Sequence, residues 1–465
     1  MSKNMLLGKS LVSIFKLLND KKISSKEVIN YFLKRIEKYN QKLNAYLTVN
    51  KSYKFKKDDK LRVPIAIKDN FCTKNIKTTA SSKVLENFIP PYESTVTKRL
   101  LDASFFILGK TNLDAWAHGS STETSDFGPT KNPWDLSRSP GGSSGGSAAV
   151  VSSYLAPAAI GSETAGSIRQ PSAWSGIIGL KPTYGRVSRY GLIAMASSLD
   201  CPGPLTLTTE DAAFILKIIA GKDKFDATTV EFEVPDYFSK IKEKKKFIIG
   251  ITEEYLEGVD DEIKEAFYQL IKILEKMGHQ IKKIKLLSPK YAISVYTVIQ
   301  RAEVSSNLAR YDGLRYGNDR TFFGSEAKRR IMLGAYVLSY GYYDAYYKKA
   351  QKVRTLIIED FKKVFKEVDL ILAPTTPIPA LKLGEFEKYP FFGEIMDILA
   401  EPAAISGICA ISFPFGLTKK NNLPIGLQLM GRWFEEENIL NLTYHIEKET
   451  DFLGVIKNGI KNYPD

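Results

Sequence analysis

The feature that most constrains the fold is the alternation of short apolar runs with amphipathic helical patterns along the 465 residues. The clearest unit is KFIIGIT (Lys246–Thr252), followed by DDEIKEAFYQLIKILEKMG (Asp260–Gly278) and HQIKKIKL (His279–Leu286). The outer pieces have the apolar, β-branched composition of strands, and the middle piece has apolar residues at helical spacing. This strand–helix–strand order predicts a parallel strand pair in an α/β fold.

Similar patterns recur in the rest of the chain. Ser24 and Glu27 form a capping box that predicts the start of an amphipathic helix. The runs RVPIAI (62–67) and FFILGKTN (Phe105–Asn112) predict buried strands. A long helical region is expected at about 296–365. Further strands are expected at VDLILAPTTPIP (368–379, running into a Pro-rich loop), ICAISFPFG (408–416) and LPIGLQLMG (423–431).

The composition excludes several classes of protein. No stretch approaches 18 consecutive apolar residues, so a membrane-spanning helix is not expected. The N-terminus has neither a signal peptide nor a transit pattern, and three scattered cysteines indicate a reducing compartment. We therefore expect a cytoplasmic protein, with an organelle matrix left open. The three histidines lie outside any metal-binding motif, so no metal site is predicted.

The formal net charge of +14 is the main compositional sign of a partner. A basic balance favours an anionic ligand, and RNA is the obvious candidate. Lysines spread over the solvent-exposed surface, with no anionic partner, would give the same net charge. The charge alone therefore supports, but does not require, contact with nucleic acid.

The segment GGSSGG (Gly141–Gly146) raises three alternatives: a flexible linker, a phosphate loop or a nucleophile loop. A linker is disfavoured because a long Ala/Val-rich stretch follows, whereas flexible linkers continue polar on both sides. A phosphate loop is disfavoured because Ser147 stands where the motif needs lysine. A nucleophile loop is the remaining interpretation.

Two kinds of nucleophile site fit the residues. Gly141–Gly145 matches the G-x-S-x-G elbow of α/β-hydrolases, which needs a histidine base, but only His279 and His445 follow it, without catalytic context. The other kind pairs serine with a lysine of lowered pKa. Lys68 ends a predicted strand, and Ser167 follows a glycine at a probable helix start, where backbone N–H groups can hold an oxyanion.

These pieces together resemble the amidase signature enzymes. The resemblance is carried by Lys68 in VPIAIKDN, by PGGSSGGSAA (140–149) and by GSETAGSIRQPSAWSGIIGLKPTYGRVSRYG (161–191). It implies a mixed central β-sheet with helices on both faces. It also implies a triad in which Ser167 is the nucleophile, Ser143 follows a cis peptide bond and relays a proton, and neutral Lys68 is the general base. The proton could also pass through the neighbouring Ser144.

The resemblance implies further site residues. The oxyanion would be held by backbone N–H groups of Thr164, Ala165, Gly166 and Ser167. Within the family, stretches such as GSSTETSDFGPTKNPWD and KRRIMLGAYVLSYGYYDAYYKKAQKVRTLI are similar to the glutaminase subunits of tRNA-dependent amidotransferases. For that branch the substrate is glutamine. By motif, Arg330 would bind its α-carboxylate, Asp397 would bind its α-ammonium group and Tyr296 would line the pocket.

The same branch implies partners. A B subunit would use ATP and Mg²⁺ to activate Glu-tRNA(Gln), Asp-tRNA(Asn) or both, and a C subunit would complete a heterotrimer. Ammonia made by this chain would pass to the B subunit, which would also contact the aminoacyl-tRNA. No cofactor is expected in this chain. A single domain is expected over 1–465, with N-terminal helices at 1–60, the catalytic core at 61–221 and the remainder at 222–465.

Three departures from the family pattern concern the site. Glu163 stands for the usual aspartate and Ala165 for a glycine, which would strain the oxyanion segment if that position needed a positive φ. The segment 318–328 is shorter than usual. Near Asp397, the sequence AEPAA (400–404) lacks the usual threonine and asparagine.

Two other functions remain open at this stage. A stand-alone amidase would use the same triad to hydrolyse a simple amide. The presence of Arg330 and Asp397 favours glutamine as the substrate instead. A non-catalytic RNA-binding or assembly protein would explain the basic charge, but it would not need the full Ser/Ser/Lys set.

Overall fold

The strands of the computed structural model form one mixed sheet at the centre of the molecule. The structure describes residues 6–51, 61–315, 317–450 and 452–465. Within these ranges the strands are β1 (Tyr46–Val49), β2 (Val63–Lys68), β3 (Phe105–Thr111), β4 (Ala158–Glu163), β5 (Ile178–Lys181), β6 (Cys201–Thr206), β7 (Ile248–Ile251), β8 (Gln280–Lys283), β9 (Leu370–Pro374), β10 (Cys409–Leu417) and β11 (Pro424–Gly431).

The sheet has the strand order β1-β3-β2-β4-β6-β5-β10-β11-β9-β7-β8. The pairs β2–β3, β2–β4, β7–β8 and β7–β9 are parallel, and the other neighbours are antiparallel. Every residue of β2 to β6 is buried, so both faces of this half of the sheet are covered. The predicted α/β class with a mixed central sheet is confirmed.

Helices cover the sheet. In the described chain they are α1 (Leu11–Asn19), α2 (Ser25–Leu43), α3 (Thr95–Asp102), α4 (Gly145–Ser152), α5 (Arg169–Ser175), α6 (Thr209–Ile219), α7 (Tyr237–Lys240), α8 (Asp261–Lys276), α9 (Pro289–Leu308), α10 (Ser325–Leu338), α11 (Lys349–Val364), α12 (Glu401–Ser406), α13 (Glu436–Glu449) and α14 (Phe452–Lys461). None of these described helices is long and apolar enough to cross a membrane.

Local sequence signals predicted several elements well. The capping box is present: the Ser24 side chain accepts from the Glu27 N–H, and the Glu27 carboxylate accepts from the Ser24 N–H. The unit β7–α8–β8 is the predicted strand–helix–strand unit, and β7 and β8 are parallel.

The long helical region is more broken than predicted. It begins earlier, at Pro289, and consists of α9, α10 and α11. A π-helical turn at Tyr343–Lys348 leads directly into α11. The chain between these helices breaks the region into three, and α10 and α11 both pack on α9 instead of continuing it as one rod.

The three predicted parts of the chain all contribute to the sheet. The N-terminal part holds β1 as well as helices, and this strand was not predicted from the sequence. Strands β2 to β6 come from 61–221, and β7 to β11 come from 222–465. Residues 1–5 and 52–60 of the N-terminal part lie outside the described residues. The division into one domain with three parts stays a prediction.

The parallel pairing of β2 and β4 positions the candidate site. Ala66 pairs with Ala159 and Ile67 with Ile160, so the carboxyl ends of the two strands lie side by side. Lys68 is the last residue of β2, and β4 ends at Glu163, just before the Thr164–Ser167 segment. In α/β sheets, sites form at the carboxyl ends of strands.

Candidate active site

Lys68 lies at the end of β2 with its side chain fully buried. Its Nζ donates to Ser143 Oγ at 2.8 Å and to the Ser162 carbonyl oxygen at 3.0 Å. Burial lowers the pKa of Lys68 to about 7, although nearby carboxyl groups act in the opposite direction. A lysine with this pKa is neutral for a large part of the time near neutral pH and can accept a proton.

The two adjacent serines have different roles in the structure. The peptide bond between Gly142 and Ser143 is cis, and Ser143 is the serine that bonds to Lys68. Ser144 Oγ donates to the Ser162 carbonyl oxygen at 3.1 Å. The Ser144 N–H donates to the Ser167 carbonyl oxygen at 3.1 Å. The geometry therefore favours Ser143 as the relay and gives Ser144 a structural role.

The glycine before the cis bond is required by close packing. A Cβ atom on Gly142 would lie 2.1 Å from Asp114 Oδ2 and 2.6 Å from the Ser121 nitrogen. The Gly142 N–H donates to Gln170 Oε1 at 2.9 Å. The loop is thus held between the 114–121 segment and α5, which fixes the position of Ser143.

Ser167 is 4% exposed and lies just before α5. No acceptor in the described parts of the chain bonds to the backbone N–H groups of Ala165, Gly166 or Ser167. Three N–H groups near a serine hydroxyl are the donors that an oxyanion hole needs. None of the described residues with positive φ lies between Thr164 and Ser167, so the methyl group of Ala165 causes no backbone strain.

Glu163 and Arg169 hold this turn in place. Glu163 Oε2 accepts from the N–H groups of Ile168 and Arg169 at 3.0 and 3.1 Å, and Oε1 accepts from Arg169 Nε at 2.9 Å. Arg169 Nη2 also donates to the carbonyl oxygens of Ala165 at 3.0 Å and Ala400 at 2.7 Å. The extra methylene of Glu163 is accommodated because its carboxylate is fully bonded.

Asp397 lies directly against the oxyanion segment. A Cβ on Gly166 would lie 2.3 Å from Asp397 Oδ1. Asp397 Oδ2 accepts from Ser120 Oγ at 2.6 Å, whereas Oδ1 has no partner among the described residues. Burial raises the pKa of Asp397 well above its usual range. The unpaired oxygen therefore lies next to Gly166, the residue before Ser167.

Arg330 is buried on α10 and is bound by two carboxylates. Its Nε donates to Glu326 Oε1 at 2.6 Å, and Nη2 donates to Glu394 Oε1. Burial disfavours the charge, but Glu394 and Glu326 more than offset this and raise the pKa of Arg330. Within the described structure, Nη1 has no partner and is the atom left for a ligand.

Tyr296 is buried on α9. Burial raises the pKa of its hydroxyl well above the ordinary value, and the charges of Arg330, Glu394, Glu401 and Asp397 also act on it. The structure thus brings Tyr296, Arg330 and Asp397 into one region beside the oxyanion segment. No hydrogen bond joins these three side chains to one another in the described residues.

Several side chains of this region were not predicted from the sequence. Glu394 joins Arg330 to Arg301, whose Nη2 donates to Glu394 Oε2 at 3.1 Å. Glu401 is fully buried, has no partner for either oxygen in the described chain, and has its pKa raised by burial. Glu394 and Glu401 stand alone in the sequence and belong to no recognised motif, so nothing in the sequence indicated their roles. Ser120 lies in the stretch GSSTETS (119–125), where the sequence alone indicates no role for it.

A cavity of about 580 Å³ opens beside Arg330. Its lining includes His118, Ser121, Glu326 and Arg330. Gly324 and Ser325, from the shortened 318–328 segment, also line it. The shortened loop therefore borders this cavity, whose lining includes Arg330 but not Ser167, Tyr296 or Asp397.

The alternative histidine-based site is not assembled. His279 Nδ1 accepts from the Phe247 N–H at 3.2 Å, and His445 Nε2 contacts the Glu243 carbonyl oxygen at 3.0 Å. Neither histidine bonds to a serine of the Gly/Ser loop. Among the described residues, no cluster of histidine, cysteine, aspartate or glutamate is suited to hold a metal ion.

A buried lysine–serine pair on a mixed α/β sheet is the arrangement expected of an amidase signature enzyme. Comparison with known proteins identifies the same family. The Amidase family model matches residues 27–440, and the chain belongs to this family of enzymes. It is 49% identical over 478 residues to the A subunit of glutamyl-tRNA(Gln) amidotransferase from Persephonella marina, covering 96% of this chain and 98% of the relative. The corresponding protein of Halothermothrix orenii is 50% identical over 455 residues, covering 93% and 95%.

Solved structures show the same likeness. The crystal structure of the A subunit of glutamyl-tRNA(Gln) amidotransferase from Thermotoga maritima aligns with a TM-score of 0.84 and 41% identity, covering 96% of this chain and 95% of that chain. Native peptide amidase from Stenotrophomonas maltophilia aligns with a TM-score of 0.82 and 26% identity, covering 95% and 97%.

Proposed function

We propose that this chain is the glutaminase subunit of a tRNA-dependent amidotransferase. The observation that carries the proposal is the buried hydrogen bond between Lys68 Nζ and Ser143 Oγ, because it joins a lysine of lowered pKa to a serine beside the Ser167 turn. The close relatives, which are named as the A subunit of such an enzyme, support the choice of glutamine as substrate.

The reaction is an acyl transfer. Ser167 Oγ attacks the side-chain amide carbon of glutamine, its proton passes to Ser143 Oγ, and Ser143 gives its own proton to neutral Lys68. Lys68 returns the proton through Ser143 to the leaving nitrogen, so the C–N bond breaks and ammonia departs. Water then attacks the ester on Ser167 by the same route, releasing glutamate and restoring the serine.

Backbone N–H groups would stabilise the negative oxygen that forms during both steps. Those of Ala165, Gly166 and Ser167 have no acceptor in the described chain, and Thr164 precedes them in the same segment. Arg169 holds the Ala165 carbonyl in place, so these donors do not need to reorganise when charge develops.

Glutamine recognition would use both ends of the pocket. Arg330 Nη1 is the free donor for the α-carboxylate, and Asp397 Oδ1 is the free acceptor for the α-ammonium group. Burial raises the pKa of Asp397, and an incoming ammonium group would favour its charged form. Tyr296 would line the space between them.

The partner subunits follow from the same proposal. A B subunit would activate the tRNA-linked glutamate or aspartate with ATP and Mg²⁺ and would receive the ammonia. A C subunit would complete a cytoplasmic heterotrimer. This chain would need no cofactor of its own, and its contact with aminoacyl-tRNA would be made through the B subunit.

A stand-alone amidase is the second candidate, and the environment of Arg330 favours it. Two carboxylates already bind Arg330, which leaves one nitrogen for a ligand in the described structure. A site built around such an ion-pair network could act on an amide that has no carboxylate.

The test is ammonia release from glutamine by the chain alone and with its B and C partners. Ser167→Ala removes the proposed nucleophile, and Ser144→Ala is a matched control because Ser144 is also buried and its hydroxyl bonds to the Ser162 carbonyl oxygen and not to Lys68. We expect release that is lost in Ser167→Ala and kept in Ser144→Ala. Hydrolysis of simple amides without any release from glutamine would instead establish the stand-alone amidase.

A further inference from the structure

His118 is a buried histidine that the proposed reaction does not use. Its side chain is fully buried, yet neither ring nitrogen has a hydrogen-bond partner among the described residues. Buried polar atoms are nearly always paired, and leaving a buried donor unpaired costs free energy. An unpaired buried histidine is therefore a candidate for contact with a ligand.

The position of His118 points to which ligand group it could meet. It lines the 580 Å³ cavity together with Arg330 and Glu326. Burial lowers the pKa of His118, and the charges of Arg330 and Arg301 lower it further, so the ring is neutral. A neutral imidazole carries one N–H donor and one acceptor nitrogen.

The loop that carries His118 is well fixed. Asp114 accepts from the Ser121 N–H at 3.1 Å and from Thr124 Oγ1 at 3.0 Å. The His118 N–H donates to the Ala115 carbonyl oxygen at 3.0 Å, and its own carbonyl oxygen accepts from Thr124 Oγ1 at 3.1 Å. The backbone at His118 is therefore held in place before any ligand arrives, which reduces the cost of binding.

The same loop also contacts Asp397, which does not line this cavity. Ser120, two residues after His118, donates to Asp397. Gln170 Nε2 donates to the Ser120 carbonyl oxygen at 3.3 Å, and Gln170 Oε1 accepts from Gly142 next to the cis bond. The loop at 118–121 thus links the cavity beside Arg330 both to Asp397 and to the Gly/Ser loop that carries Ser143.

A carboxylate has two oxygens, but Arg330 has one free nitrogen. Its Nε and Nη2 are bound to Glu326 and Glu394, which leaves Nη1 for one oxygen. Other unpartnered donors occur nearby, on Trp116 and Arg301, but neither side chain lines this cavity. Glu123 also lines the cavity with an unpartnered oxygen, but that oxygen is an acceptor; among the described lining residues with unpartnered buried atoms, His118 is the one besides Arg330 that can donate.

We propose that His118 binds the substrate carboxylate together with Arg330, donating a ring N–H to the oxygen that Arg330 does not reach. The inference rests on the proposed function and adds a binding residue to the same site. It makes a substrate with a carboxylate, and not a plain amide, the preferred ligand of this pocket.

The experiment compares two amides in the assembled complex. Glutamine carries the carboxylate, and γ-aminobutyramide is the same amide without it. Ammonia release is measured for wild type, His118→Phe, His118→Asn and the control His445→Phe, which alters a histidine outside the cavity. The phenylalanine fills the space without a donor, and the asparagine keeps an N–H group.

We expect His118→Phe to raise KM for glutamine about tenfold or more, because a hydrogen bond to a charged group is lost, with kcat nearly unchanged. KM for γ-aminobutyramide should not change, and His118→Asn should restore part of the glutamine affinity. An equal KM rise for both amides, or none for glutamine in a folded variant, would overturn the inference. The proposed function has a separate readout, since it fails if wild type releases no ammonia from glutamine.

Discussion

A buried lysine can act as a base only when it is neutral for part of the time, and the surroundings of Lys68 meet this condition. Burial lowers its pKa to about 7, and Ser143 is within hydrogen-bonding distance. Burial alone does not make a base, because Lys181 is also fully buried with a lowered pKa. Lys181 donates to the carbonyl oxygens of Pro182 and Ile408 and contacts no serine.

This pair of lysines gives the first prediction. Lys68→Met should lower kcat for ammonia release about a thousandfold, because the general base is lost while a side chain of similar length remains. Lys181→Met is the matched control: it should affect the free energy of unfolding but leave kcat within about threefold of wild type. Steady-state kinetics and urea unfolding on both variants check this. Similar losses of kcat in the two variants would contradict the assignment.

The second prediction concerns pH. Protonated Lys68 has no lone pair, so kcat/KM should fall about tenfold for each pH unit below about 7 and level off above it. Asp200 is also buried with its pKa raised to about 7, so Asp200→Asn is the control. The fall of kcat/KM at low pH should persist in Asp200→Asn. It should begin at a slightly lower pH, because one negative charge near Lys68 is gone. Loss of this fall in the variant would assign it to Asp200.

At the scale of elements, the turn between β4 and α5 carries most of the site. Glu163 ends β4 and pairs with Arg169 at the start of α5, and the segment between them supplies Ser167 and the free N–H groups. Because no residue from Thr164 to Ser167 has a positive φ, glycine is not needed at Ala165 for its backbone freedom. Gly166 is different, since Asp397 leaves no room for a side chain there.

The third prediction compares these two neighbours. Ala165→Gly should keep glutaminase activity within about twofold and lower the free energy of unfolding by about 0.5–1 kcal/mol, since glycine adds freedom to the unfolded chain. Gly166→Ala should raise KM for glutamine strongly, because its Cβ would meet Asp397 Oδ1 at 2.3 Å. Kinetics and thermal unfolding distinguish the effects. A gain of activity in Ala165→Gly would show that the alanine does strain the oxyanion segment.

Elements with strong local patterns were predictable, and those defined by tertiary pairing were not. The unit β7–α8–β8 follows from its periodicity. In contrast, β6 contains Pro202 and Pro204, which lack the N–H group that a strand normally offers. It forms because β4 pairs along its whole length, while β5 pairs only with Leu205 and Thr206. The sheet, and not the local sequence, determines this strand.

The residues of the site divide in the same way, into those that sequence motifs predict and those that depend on tertiary contacts. Lys68, Ser143 and Ser167 lie in recognisable motifs, so they could be predicted as one site from the sequence; the structure brings Lys68 and Ser143 into contact, and the role of Ser167 stays a prediction. Glu394 and His118 were not found, because each is an isolated residue whose role depends on where Arg330 lies. A side chain that acts through a distant partner leaves no pattern in its own stretch of sequence.

At the scale of the whole molecule, one sheet joins the proposed catalytic residues to the proposed glutamine-binding residues. Strands from 61–221 carry Lys68 and the Ser167 turn, while Tyr296, Arg330 and Asp397 come from 222–465. Arg169 bridges the two parts, since it bonds to Glu163 on one side and to Gln428 and Ala400 on the other. The site therefore depends on the packing of distant parts of the chain.

This bridge gives the fourth prediction. Arg169→Met should lower the free energy of unfolding by about 3–5 kcal/mol, because it leaves the buried Glu163 carboxylate without its partner. Arg138→Met is the control, because the Arg138–Asp135 pair is partly exposed and should contribute about 1 kcal/mol or less. Urea unfolding of both variants checks the difference. Equal losses would mean that the Glu163–Arg169 pair does not hold the two parts together.

The most direct test of the central claim is detection of the acyl-enzyme on Ser167. The complex is mixed with glutamine, quenched in acid during turnover and digested, and the peptide that contains Ser167 is examined by mass spectrometry. The account predicts a glutamyl ester on this peptide in wild type, its absence in Ser167→Ala, and its persistence in Ser144→Ala. Ammonia release that continues in Ser167→Ala, with no ester on the wild-type peptide, would contradict it.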